Sequence, residues 1–133
     1  MAIILDADVI IGGEKGSFDL PDWLSSYPNE YFEIAAITVA ELWHGVERAI
    51  GRYKADRQRY LNLILETFPV IPYTEQTAYQ HARIWAEVEA AGQMIGFYDL
   101  IVAATALERG CRVATFNKRH FAKIKGLEII EPS

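Results

Sequence analysis

The sequence predicts an α/β/α three-layer sandwich on a mainly parallel sheet of about five strands. Short apolar runs at residues 2–5, 33–36, 70–71, 112–115 and 127–130 alternate with longer stretches of helical period. Such alternation marks a parallel sheet covered on both faces. Residues 98–109 are apolar nearly all round, which suits a helix enclosed by the rest of the chain. With 133 residues, 51% of them hydrophobic, residues 1–133 fit one domain with a full core.

The elements follow in order. Ile3-Ile4-Leu5 is a first strand, and it runs into two carboxylates, Asp6 and Asp8. Residues 8–13 read as a short helical turn capped by Asp8 and ended by Gly12-Gly13. Residues 18–26 form a short helix with Pro21 near its start, and residues 33–36 a second strand. Thr38 opens a helix to about residue 50, with Glu41 three positions on in capping-box spacing. Residues 54–67 carry Tyr60, Leu61, Ile64 and Leu65 at helical spacing. Val70-Ile71 is a third strand, stopped by Pro72. Thr74 caps a helix to about residue 91, with Ala78, Ala82, Trp85 and Ala86 on one face. The buried helix 98–109 stops at Gly110, and strands at 112–115 and 127–130 complete the sheet.

Bulk properties narrow the function. The apolar runs are too short to span a membrane, and no basic segment precedes the first one, so neither a membrane protein nor a secretory leader is expected. The single cysteine, Cys111, has no internal partner, and a reducing cytoplasm is the simplest setting. His44, His81 and His120 show no zinc-ligand spacing with it. The net charge of −5 argues against tight nonspecific binding to nucleic acid, yet the charge is uneven. Residues 1–47 hold nine acids and one base, whereas 48–133 hold twelve bases and nine acids. The bases gather at 48–59 and 109–125. The first cluster reads as a solvated helix face, the alternative being a phosphate-binding rim beside an acidic centre.

Ligand sites in open parallel sheets lie beyond the carboxyl ends of the strands. That rule selects Asp6 after strand one, Glu41 at the start of the helix after strand two, Asp99 at the start of the buried helix, and Asn117 and His120 after strand four. Paired carboxylates at the edge of a core are costly unless something compensates them. Hard oxygen ligands suit Mg²⁺ or Mn²⁺, with Asp6, Asp99 and Glu41 as ligands. Such a cation fits hydrolysis of a phosphodiester without a protein nucleophile. Each residue also has a plainer role open to it: Asp6 and Asp99 as helix caps, Glu41 in its capping box, Asn117 in an Asx-turn, His120 at a surface.

Four segments in order resemble the PIN-domain nucleases, and within them the VapC toxins. They are residues 4–10, residues 37–42 with Gly45, residues 95–106, and Ala114-Thr115-Phe116-Asn117 followed by Phe121. The resemblance spans essentially the whole chain. It implies a PIN-like fold and a Mg²⁺-dependent ribonuclease acting on cellular RNA, with Mn²⁺ as a possible substitute. It also implies a VapB-type antitoxin partner, a homodimer, and an acidic site at Asp6, Glu41 and Asp99. The chain departs from the family where Ala7-Asp8 replace the usual Thr-Asn, and where His120 replaces a frequent fourth acid. A histidine there suits phosphate contact or proton transfer rather than metal ligation. Two rival readings remain at this stage. One is a phosphatase of the haloacid-dehalogenase type, suggested by Asp6-Ala7-Asp8. The other is a catalytically degraded RNA- or antitoxin-binding module.

Overall fold

A computed structural model gives the fold, and it describes residues 2–133. Five strands, β1 (Ala2–Leu5), β2 (Tyr31–Ala35), β3 (Val70–Ile71), β4 (Arg112–Ala114) and β5 (Ile129–Ile130), form one sheet in the order β3-β2-β1-β4-β5. Every pairing is parallel, so the expected mainly parallel sheet is wholly so. β1 lies at the centre, with Ile4 opposite Glu33 of β2 on one side and Val113 of β4 on the other.

Seven helices cover the sheet: α1 (Ala7–Lys15), α2 (Leu20–Ser25), α3 (Ala36–Arg48), α4 (Gly51–Thr67), α5 (Glu75–Ala90), α6 (Phe97–Arg109) and α7 (Lys118–Phe121). Side chains alternate across a strand, so β1 feeds two cores. Ile3 and Leu5 pack with Val9, Trp23, Leu42 and Leu61 under α1–α4. Ile4 packs with Ile84, Val102, Val113 and Phe121 under α5–α7. In α6 every residue from Leu100 to Ala106 is buried, as its all-round apolar sequence predicts. Gly110 ends that helix in the left-handed region at φ 67°, which a glycine adopts without strain.

Several elements differ from expectation, each for a physical reason. Gly12-Gly13 do not end α1, which runs on to Lys15 and stops at Gly16. The glycine at 13 serves packing, because a Cβ there would stand 2.8 Å from Leu20 Cβ. The close approach lets Tyr60 of α4 donate its hydroxyl to the Ile10 carbonyl at 2.8 Å. α3 begins at Ala36, two residues before Thr38, and has no side-chain cap. Thr38 is therefore buried within the first turn, and the capping box with Glu41 does not form. On α5 the buried stripe is Thr77, His81, Ile84 and Val88 rather than the Ala78–Trp85 face. Thr74 does cap α5 as expected, in a reciprocal box with Thr77. The short helix α7 was not foreseen, since four residues carry too little periodicity to read.

Candidate active site

β1 delivers Asp6 to the centre of the sheet's carboxyl edge. The Asp6 backbone N–H still donates to the Ala114 carbonyl at 2.9 Å, so the residue is anchored to β4. Its side chain is buried. Oδ1 accepts from the Ala7 N–H at 2.9 Å, and Oδ2 accepts from the Thr115 hydroxyl at 2.8 Å. Asp6, not Asp8, is thus the N-cap of α1. Asp8 sits in the first turn and turns across to β4, where it accepts from the Phe116 N–H at 3.2 Å and from Thr115 Oγ1 at 3.3 Å. The cap expected at Asp8 thus falls to Asp6. An Asp that ends a strand already has the extended backbone a cap needs, and Asp6 has φ −73° and ψ 158°.

Glu41 reaches the same place from the second turn of α3. Burial pushes its carboxyl up to about 7, and the Asp6, Asp99 and Asp8 carboxylates add to the shift. Its Oε1 is buried with no hydrogen-bond partner. Asp6 also rises to about 7, through burial first and the Asp8 charge second. Asp8 is raised as well, chiefly by burial. Such repulsion acts only between charges close enough to feel one another.

α6 brings Asp99 on its first turn, behind a Gly96 N-cap, so Asp99 is not itself the cap. Asp99 Oδ2 lies 3.4 Å from His120 Nδ1 on α7. The same ring nitrogen stands 3.0 Å from Asn117 Nδ2. Asn117 occupies the N-cap position of α7 without capping it, because its amide faces His120 instead. Asp99, His120 and Asn117 are thus joined by successive contacts of 3.4 Å or less, Asp6 joins Asn117 through Thr115, and Glu41 is linked to Asp6 and Asp99 only through their charges. Sequence reasoning passed over Thr115. Its hydroxyl donates toward two carboxylates and accepts from the Asn117 N–H at 2.9 Å. The only signal for it is a hydroxyl-bearing residue at the end of the strand beside β1.

Among the described residues no group of three or more His, Cys, Asp or Glu side chains is placed to hold a metal ion as it stands. The donor chemistry nonetheless fits a hard cation. An orphaned carboxylate oxygen, two carboxyls raised to about 7 and a third acid share one edge.

Comparison with known proteins agrees with this arrangement. The model of the PIN domain matches residues 3–127. Ribonuclease VapC1 of Rickettsia felis is 31% identical, over 100% of this chain and 98% of its own. Among solved structures, VapBC2 of Rickettsia felis, bound to a DNA fragment from its promoter, superposes with a TM-score of 0.91 at 23% identity, covering 98% of each chain. DNA-bound VapBC of Salmonella typhimurium gives 0.89 at 26% identity, covering 98% of this chain and 97% of that one. The all-parallel sheet, the acidic edge and these matches together place the chain in the PIN-domain family, among the VapC ribonucleases.

Proposed function

We propose that this protein is a metal-dependent endoribonuclease acting as the toxin of a toxin–antitoxin pair, with Mg²⁺ as its cation and Mn²⁺ as a substitute. The reading is supported by the charges of Asp6 and Asp99 acting on Glu41, whose carboxyl is raised to about 7 and whose Oε1 is buried and unpartnered. Membership of the VapC ribonucleases supports RNA as the substrate. Asp6 and Asp99 are the principal ligands in this proposal, and Glu41 is a third ligand or orients water. A bound divalent cation supplies positive charge to a phosphoryl oxygen and acidifies water. The protein's own part is positional. The Ala7 N–H and Thr115 hydroxyl fix the plane of the Asp6 carboxylate. Asn117 and His120 offer nitrogen donors beside Asp99 to a substrate phosphate.

Solved relatives are VapBC complexes, which supports a VapB-type antitoxin as partner. An antitoxin arginine pairing with the carboxylates would silence the site. No helix among the described residues is long and apolar enough to cross a membrane, and a cytoplasmic setting is part of the proposal. A homodimer is proposed as well, with Trp85, Phe97 and Tyr98 supplying exposed apolar surface on α5 and α6.

The test uses purified protein and labelled RNA with Mg²⁺, Mn²⁺ or EDTA, beside calorimetric titration of the metal. Asp6→Asn and Asp99→Asn are expected to weaken metal binding and to lower cleavage about 100-fold or more. Undiminished cleavage by Asp6→Asn would sink the reading. His120→Ala is expected to slow cleavage about 10- to 100-fold while metal affinity changes little. An unchanged rate removes His120 from the chemistry.

A further inference from the structure

The acidic edge continues past Glu41 into a recess of roughly 80 Å³, lined in part by Glu14, Gly45, Arg48 and Arg57. Arg57 enters it from α4, although the basic cluster at 48–59 reads in sequence as a solvated face. The structure divides that cluster. Arg59 points outward, 76% exposed, and pairs with Asp56 three residues earlier. Arg57 turns inward, with only 19% of its side chain exposed.

Three features fix the Arg57 guanidinium. Its Nε lies 3.4 Å from Glu14 Oε1 of α1. The head sits 5.8 Å from the centre of the Tyr53 ring. It also passes directly over Gly45, where a Cβ would come within 2.9 Å of Nη1. Any side chain at 45 would push the guanidinium away, so the glycine in mid-helix makes room for it. The Nε is buried and makes no hydrogen bond, so its donor capacity is not used up by Glu14. Arg48, exposed in the last turn of α3, has no ion-pair partner among the described residues and lines the same recess.

A polyanion approaching an edge of carboxylates is repelled unless fixed cations flank it. A planar guanidinium meets a phosphate through two parallel N–H donors, and a preorganised one loses little freedom in doing so. We infer that Arg57, assisted by Arg48, holds a backbone phosphate of single-stranded RNA adjacent to the one cleaved at Asp6, Glu41 and Asp99. The inference rests on the ribonuclease reading and adds a substrate contact to it. Glu14 orients Arg57 before RNA arrives and then shares it. Such a contact sets position along the strand without reading its sequence.

Fluorescence anisotropy with a labelled single-stranded oligoribonucleotide in EDTA tests this apart from cleavage. Arg57→Ala is expected to weaken binding about tenfold, equally for two unrelated sequences. The slope of log affinity against log salt should flatten by about 0.7. Arg57→Lys should restore the slope and part of the affinity. Glu14→Gln breaks the same ion pair and should shift the melting temperature as Arg57→Ala does, yet bind RNA at least as tightly as the parent. Equal RNA affinities in Arg57→Ala and the parent overturn the inference, as does an equal loss in Glu14→Gln and Arg57→Ala, which marks a purely structural pair. No RNA binding by the parent overturns it too. Arg57-dependent binding without cleavage under any divalent ion would instead sink the nuclease reading and leave this contact standing.

Discussion

The Thr115 hydroxyl has one proton and two carboxylates that want it. It lies 2.8 Å from Asp6 Oδ2 and 3.3 Å from Asp8 Oδ2, and it accepts from the Asn117 N–H at the same time. Thr115→Val keeps the shape and removes all three interactions, leaving buried acceptors less satisfied. A cost of about 1–3 kcal/mol in chemical denaturation is expected, with a clear loss of cleavage, whereas Thr115→Ser should retain both. The acids also set a pH dependence. Asp6 is raised from 3.8 to about 7, so the folded state holds a proton there that the unfolded chain has already released. That contribution to stability is fully present below pH 4 and is lost as pH rises through about 7. Glu41, raised from 4.5 to about 7, acts in the same sense. Metal-free protein should therefore melt at progressively lower temperature from about pH 4 to about pH 7, and Asp6→Asn should flatten that decline. Metal affinity runs the other way and grows as the carboxyls ionise.

Among the elements, β2 and α6 are locked by a pair that no motif announces. Glu33 is buried in β2, and both its oxygens accept from Arg109 in the last turn of α6, at 2.9 Å to Nε and 2.7 Å to Nη2. Because Arg109 is about a third exposed, the pair is worth less than a fully enclosed one. Arg109→Ala strands the Glu33 charge in the core and should cost about 1–3 kcal/mol, measurable in urea. Sequence periodicity had no access to such a contact, since the partners stand 76 residues apart. What it did read were elements with strong local signals: the apolar run of β1, the Thr74 cap of α5, and the buried α6 with its glycine stop. The candidate acids are selected by adding one rule, that ligands gather at strand ends. The cap falls to Asp6 rather than Asp8 although both are Asp, because Asp8 is drawn to the Phe116 N–H and Thr115 beyond β4. The wrong face was chosen on α5 because alanines and one tryptophan mimic an apolar stripe, while the true stripe contains Thr77 and His81.

Across the molecule, two layers of helices leave apolar side chains open on the α5–α6 side. Trp85 is 45% exposed and Phe97 59%. If that face joins two copies, Trp85→Asp with Phe97→Asp should convert a dimer to a monomer in sedimentation, with the fold intact by circular dichroism. The sheet order has a different implication. β1 precedes the other four strands in the chain but sits in the middle of the sheet, and its second neighbour, β4, lies more than a hundred positions later. Thr115, which holds Asp6, is 109 residues downstream of it. A nascent chain still lacking residues 112–121 has Asp6 and Glu41 but not the strand, hydroxyl or histidine that assemble them into a site. A ribosome building this protein is therefore not exposed to a working nuclease until residues 112–121 have emerged. Protein truncated after residue 110 should neither take up divalent ions nor cut RNA, leaving an antitoxin only molecules that carry residues 112–121 to restrain.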